Sequence, residues 1–235
     1  MLTLRSAAAA LVLAACSRST PEQRDAAVIH IGIPAPPPPT MPASDGAVAK
    51  AATAQPADPV VVVVQTRHGN VKLPAIDRDP IASPSGDSVV YARGDDLYLR
   101  GEFSEEEHVL VRGAPSTKPE ENLTTLNSPR FSPDGDRVYF LSAAWGNTEA
   151  VHAVDLATKR VSFVVEGKRM DVVRKGPLRS DLVVVRERVG AGGGAPYDEA
   201  WLVGPDGKEI RALARMDAPG AERIVTGVVD GGAQP

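Results

Sequence analysis

Side chains able to do chemistry are few and scattered along these 235 residues: four histidines (His30, His68, His108, His152) and a single cysteine, Cys16. A nucleophile–base pair or a metal site needs such groups brought together, and no short-range pattern does this. There is no G-x-S-x-G elbow, no H-E-x-x-H, no paired C-x-x-C and no G-x-x-x-x-G-K-[ST]. Each remaining candidate has a plainer reading beside it. His152 lies in an apolar run and either packs there or points into a channel. Glu105-Glu106-Glu107 reads as a solvated acidic loop, with a calcium or partner contact as the alternative. Asp134 and Asp136 flank Gly135, but calcium takes about six to eight oxygens and a turn explains two aspartates more simply. Gly190-Ala191-Gly192-Gly193-Gly194 offers backbone amides to a phosphate; no helix or lysine comes after it, so a long hairpin loop is the simpler reading. Tyr197 and Trp201 nearby are candidate stacking surfaces for a ligand at a rim. Arg93-Gly94-Asp95, which spells an adhesion tripeptide, stands between two strand-like runs and reads as a turn. These residues point away from an enzyme, a metal centre or a cofactor, and toward a protein that works by binding.

Charge sets a further bound. The net charge is −4, with 24% charged residues, so neither a nucleic-acid footprint nor a polybasic membrane patch is present. All ten aromatic residues fall between Tyr91 and Trp201, which places the best-packed region inside those limits.

The first 15 residues differ in character from the rest of the chain. Arg5 precedes a short apolar stretch, residues 6–15, that is too short to span a bilayer and reads as a targeting signal. Leu13-Ala14-Ala15-Cys16 resembles the lipobox of bacterial lipoproteins. That resemblance implies cleavage before Cys16 and acylation of it, and Ser17, in place of aspartate, implies the outer membrane, with the protein facing the periplasm. An unprocessed anchor or a downstream start are the alternatives. Residues 16–59 then form the lipidated cysteine and a Pro/Ala-rich linker. Nine of the 21 prolines lie in 17–59, and so few bulky side chains cannot offset the entropy of ordering, so a disordered tether is expected. As a flexible coil it spans roughly 35–40 Å. Val28-Ile29-His30-Ile31-Gly32-Ile33 interrupts it, either as a sticky patch or as a strand that pairs back onto the folded part.

Residues 60–235 position the candidate side chains in short apolar runs separated by turns. Strands are expected at 60–64, 71–73, 88–91, 97–99, 109–111, 137–141, 151–156, 161–165, 182–185, 200–203 and 210–213; Val161, Phe163 and Val165 share one face by their period of two. No segment shows a helical period with caps. The strands group in threes behind a common lead, Ser83-Pro84-Ser85-Gly86-Asp87 and Ser132-Pro133-Asp134-Gly135-Asp136. The two leads stand 49 residues apart (132 − 83), near the period of a four-stranded propeller blade. Proline second and glycine fourth suit a tight turn. Gly204-Pro205-Asp206-Gly207-Lys208 looks similar but falls between strands of its group, as a hairpin turn.

Phe131-Ser132-Pro133-Asp134-Gly135-Asp136-Arg137-Val138-Tyr139-Phe140 with Val151-His152-Ala153-Val154-Asp155-Leu156 resembles the TolB-type WD40-like (PD40) β-propeller repeat. The resemblance is good over about 131–166, partial over 81–113, where Ser85 replaces the turn aspartate, and faint over 170–214. It implies an all-β, WD40-like, TolB-like β-propeller and carries no catalytic residues. Three repeats plus strands within 60–76 make three to four blades, a small ring or an incomplete, open arc. An open arc leaves edges for a partner or a second copy to cover, so self-association is one expectation. The expected function is a non-enzymatic, envelope-protein-binding scaffold, held at the membrane through Cys16. The alternative is small-molecule or glycan binding at the propeller mouth, with the 190–197 loop as lid and Tyr197 and Trp201 at the rim.

Overall fold

Two prolines explain how the blades begin. Pro80 and Pro129 each stand three residues before the serine that opens the lead turn, inside the first strand of a blade. A proline has no N–H for a ladder and belongs on an edge strand or at a bulge, and the pairing register shifts at both places. The computed structural model describes residues 61–67, 69–73, 78–190 and 192–232. Among these, fourteen strands run in chain order: β1 (Val62–Gln65), β2 (Asn70–Leu73), β3 (Arg78–Ala82), β4 (Ser88–Arg93), β5 (Asp96–Gly101), β6 (Glu107–Val111), β7 (Asn127–Phe131), β8 (Arg137–Trp145), β9 (Thr148–Asp155), β10 (Val161–Gly167), β11 (Arg169–Val172), β12 (Leu182–Val189), β13 (Pro196–Val203) and β14 (Glu209–Arg215). One helix, α1 (Ala221–Val229), comes after them.

The strands form three antiparallel four-stranded sheets, β3–β6, β7–β10 and β11–β14, and a two-stranded sheet, β1–β2. Each four-stranded sheet is a blade, so the domain is nearly all β and built as an incomplete β-propeller. The blades are meanders of four strands and not of three: β3 and β7 precede the lead turns, β11 opens blade 3, and all three escape a reading based on apolar runs. Prolines hide the first two, and Arg169-Met170-Asp171-Val172 has little apolar character to display.

The lead turns are built alike. Gly86 and Gly135 sit at φ 81° and 84°, a region glycine enters without steric cost. The Ser83 and Ser132 hydroxyls accept the amides of Ser88 at 3.2 Å and Arg137 at 3.0 Å. In the second turn Asp134 accepts a hydrogen bond from the Ser132 hydroxyl. In the first, where Ser85 stands instead, Asp87 takes over and accepts from Ser85 at 2.7 Å and Ser83 at 2.9 Å. These hydroxyls hold both carboxyls below their ordinary range. The hairpin at 204–208 joins β13 to β14, with the Gly204 amide donating to the Lys208 carbonyl at 2.8 Å.

Faces, rather than edges, hold the molecule together. Blade 1 packs on blade 2 through Val90, Leu97, Leu110, Phe131, Val138 and Phe140. The other face of blade 2 meets blade 3 through Tyr139, Leu141, Val151, Met170, Leu182 and Val184. The outer face of blade 1 is covered by β1 and β2, through Val62, Val64, Val71 and Leu73 against Val89 and Tyr91. The outer face of blade 3 is covered by α1, through Val225, Val228 and Val229 against Val183, Val185, Ala200 and Leu202. An open arc exposes its two end faces, and this chain caps one with a hairpin and the other with a helix. The helix is a correction to the expectation from sequence. Valines and Gly227 are poor helix formers, but Ala221, Val225, Val228 and Val229 form one buried stripe, and packing decides the matter.

The single face expected for Val161, Phe163 and Val165 is also corrected. The register shifts between Phe163 and Val165, so Val164 and Val165 both turn toward blade 3 while Phe163 stays on the opposite side. A bulge adds one residue and breaks the period.

Candidate functional site

Blade 3 carries the two aromatic residues singled out as a ligand rim. Tyr197 and Trp201 share one face of β13, as their even spacing requires. Both rings are already engaged. The Arg215 guanidinium lies 4.2 Å from the centre of Tyr197, and that of Arg188 lies 4.4 Å from Trp201. The Trp201 indole N–H donates to Glu199 at 2.7 Å. Arg186, with a side chain only 9% exposed, joins Glu166 of β10 at 3.0 Å to Glu209 of β14, and Arg188 reaches Glu209 at 3.2 Å. Burial works against the Glu209 charge, but the two guanidinium groups prevail and hold its carboxyl below the ordinary range. This row of ion pairs ties blade 2 to blade 3 beside the rim.

Other candidates have structural employment too. Gly193 and Gly194 donate their amides to the Gly190 carbonyl at 3.2 and 3.3 Å, which closes the glycine loop upon itself as a hairpin turn. Glu107 pairs with Arg93 at 3.0 Å, and Glu106 is held through its amide by the Ser104 hydroxyl. Asp95 accepts the Thr125 amide at 2.8 Å, and Arg93 also covers Tyr98 at 4.1 Å, so both charged ends of the Arg93-Gly94-Asp95 turn are bound. Asp136 closes the lead turn, and its carbonyl accepts the Leu156 amide. Cys16, His30 and His68 lie outside the described residues. His108 is exposed on β6.

His152 packs. It is 2% exposed, stacked on Phe140 at 5.5 Å and met edge-on by Phe163 at 5.9 Å, and its Nε2 has no hydrogen-bond partner. Desolvation pushes its pKa down to about 4. Phe140, His152 and Phe163 are cross-strand partners on β8, β9 and β10, so they form a ladder from the core to the surface. Its outer rung escapes a reading of the sequence. Phe163 is 42% exposed on the edge strand of the middle blade, and Trp145 meets it edge-on at 6.3 Å. An exposed aromatic ring backed by a second, partly buried one is a ready anchor for a partner. The signal for it is the break in period after Phe163, visible only once the bulge is known.

No family model matches the chain, and no curated protein matches it in sequence. Several solved structures resemble it. A protein assigned as TolB from Agrobacterium tumefaciens is 18% identical with a TM-score of 0.42, over 66% of this chain and 61% of that one. The β-propeller domain of the Trilobed protease from Pyrococcus furiosus, whose topology is an open velcro, is 16% identical with a TM-score of 0.40, over 59% and 42%. An oligogalacturonate lyase in complex with manganese is 15% identical with a TM-score of 0.44, over 68% and 43%. Likeness at this level concerns fold alone. Among the described residues no helix is long and apolar enough to cross a membrane.

Proposed function

We propose that this chain is a non-enzymatic lipoprotein of the bacterial envelope, tethered at Cys16 to the outer membrane and facing the periplasm, whose three-bladed arc binds another envelope protein. The observation that carries this reading is Phe163, exposed on the edge strand of the middle blade, met edge-on by the partly buried Trp145 at the end of β8 and held in place by the buried ladder behind it. Supporting it, His152, Asp134, Glu107, Tyr197 and Trp201, among the described residues, are engaged in packing, turns, ion pairs or stacking. Alanine at an aromatic anchor removes most of the binding energy of its pocket, so Phe163→Ala and Trp145→Ala should each weaken the complex by about tenfold or more. The measurement is capture from detergent-solubilised envelope with the full chain as bait. A partner held equally by both variants would refute the anchor, provided their melting temperatures match the parent's.

A second reading rests on Tyr197 and Trp201, half-buried beside a row of arginines and glutamates. A small molecule or glycan there would raise the melting temperature in proportion to its occupancy and lose that effect in Tyr197→Ala. The lipid anchor has its own test. Two acyl chains hold a protein firmly, at about 0.8 kcal/mol per buried methylene. Cys16→Ser should therefore abolish acyl labelling and move the protein out of the membrane fraction; unchanged labelling would rule out lipidation at this residue.

A further inference from the structure

Among the described residues, every sheet edge but one is blunted. The edge strands are β1, β2, β3, β6, β7, β10, β11 and β14. Pro80 and Pro129 sit in β3 and β7, and β2, β6, β10, β11 and β14 each carry a charged residue, from Lys72 to Arg215. Prolines and charges keep an edge from pairing with another chain. β1 reads Val62-Val63-Val64-Gln65 and holds neither. It continues a run of valines over residues 60–64, apolar at every place, which is the pattern of a strand buried on both faces. One edge of β1 pairs with β2; the other has no partner strand among the described residues. Val61, at the entry to the strand, is 50% exposed. The β1–β2 sheet also stops at two strands where each blade has four.

We infer that β1 pairs with β1 of a second copy, antiparallel about a two-fold axis at Val63, so that two copies share one four-stranded sheet in the order β2–β1–β1–β2. The register is self-complementary. Val62 pairs with Leu73 and Val64 with Val71, and these four cover Val89 and Tyr91 of blade 1. With Val63 opposite itself, Val62 stands opposite the second copy's Val64. The row Leu73–Val62 then runs on into Val64–Val71 of the other copy and stays apolar throughout. A shift by one residue would set the buried valines of one copy in line with the outward face of the other. On that outward face the row is Lys72–Val63–Val63–Lys72, which keeps the two lysines three strand spacings apart, about 14 Å. The axis is perpendicular to the sheet, so each hairpin stays over its own blade 1. An uncharged edge offers an unlike partner no charge to select it by and meets no like-charge repulsion from itself, so a second copy is the occupant it fits. This contact goes beyond the envelope-partner reading and leaves Phe163, on blade 2, free.

A disulfide tests this in the full chain carrying Cys16→Ser, which removes the only cysteine. Residues directly opposite each other across an antiparallel pair have Cα atoms about 4.5–5.5 Å apart, within disulfide range. Lys72 shares the outward face of Val63 but lies one strand further from the axis. Under mild oxidation Val63→Cys should therefore form a covalent dimer at least about tenfold faster than Lys72→Cys. Both side chains point away from the blade 1 interface, so the melting temperatures of the two variants should match the parent's. Equal rates of dimer formation overturn the inference. Sedimentation gives a second readout. The Cys16→Ser chain should form dimers at about 100 μM. Val63→Lys sets two lysines opposite each other across the axis and should raise the dissociation constant by about tenfold or more. A chain that stays monomeric, or a dimer indifferent to Val63→Lys, overturns the assignment to β1 as well.

Discussion

Gly207→Ala is expected to cost more than about 3 kcal/mol, a large share of the 5–15 kcal/mol that holds a typical domain. Gly207 sits at φ 85° in the β13–β14 hairpin, where a side chain costs about 1–2 kcal/mol by itself. Steric overlap costs more than this backbone strain. A Cβ there would lie 2.1 Å from the Val164 carbonyl oxygen and 3.0 Å from its carbon. Both are backbone atoms of β10, so no rotamer change relieves the overlap. The hairpin must lift off blade 2, and the interface of Val164, Val165, Val184 and Val203 opens with it. Urea unfolding reads the effect. Gly146→Ala, in the β8–β9 turn with nothing within 4 Å of the added carbon, is the control and should shift stability by less than about 1 kcal/mol. Equal midpoints for the two variants would refute the packing of blade 3 against β10.

Acid should weaken the fold before the carboxyls of Asp87, Asp134 and Glu209 titrate. His152 titrates at about 4 in the folded protein against about 6.5 in an unfolded chain. Above pH 6.5 neither state binds the proton and the residue contributes no pH dependence. Between pH 6.5 and 4 the unfolded chain binds a proton that the folded one refuses. Stability therefore falls as pH falls, by about 1.4 kcal/mol per unit and about 3 kcal/mol in all. The carboxyls of Asp87, Asp134 and Glu209 are held below their ordinary range, so their contribution is lost only at lower pH. Unfolding free energies at pH 7 and pH 5 should differ by about 2 kcal/mol in the parent and by far less in His152→Phe, which keeps the aromatic ladder. Parallel profiles for the two proteins would show that another group carries the acid sensitivity.

How much of this is legible in the sequence differs by element. The 49-residue spacing of Ser83 and Ser132 marks the blades because a tight turn needs particular residues at particular places, whatever surrounds it. Strands β4, β5, β8, β9, β12 and β13 declare themselves by apolar runs because their faces pack against a neighbouring blade on one side and a second blade or a cap on the other. The first strands do not: Pro80 and Pro129 read as breakers until the bulges that accommodate them are seen. The candidate site is legible in part. Tyr197 and Trp201 stand out and do share a face, but their guanidinium partners come from β12 and β14, whose register no local pattern states. Phe163 and Trp145 do not stand out, since the bulge that turns Val165 away from the face of Phe163 belongs to the pairing of β10 with β9.

Local chemistry thus determined the turn design, the β-rich composition of the blades and the contrast between the folded region and the Pro/Ala-rich stretch before it. The tertiary structure decided the four-strand blades, the two caps on the arc, the helix made of valines, and the surface on which an aromatic pair is offered. The physical reason is range. A turn or a period of two is set by neighbours within a few residues, whereas burial of a face depends on strands that arrive from far along the chain. Val225, Val228 and Val229 are helical because blade 3 presents an uncovered apolar face, and nothing in the neighbouring residues says so.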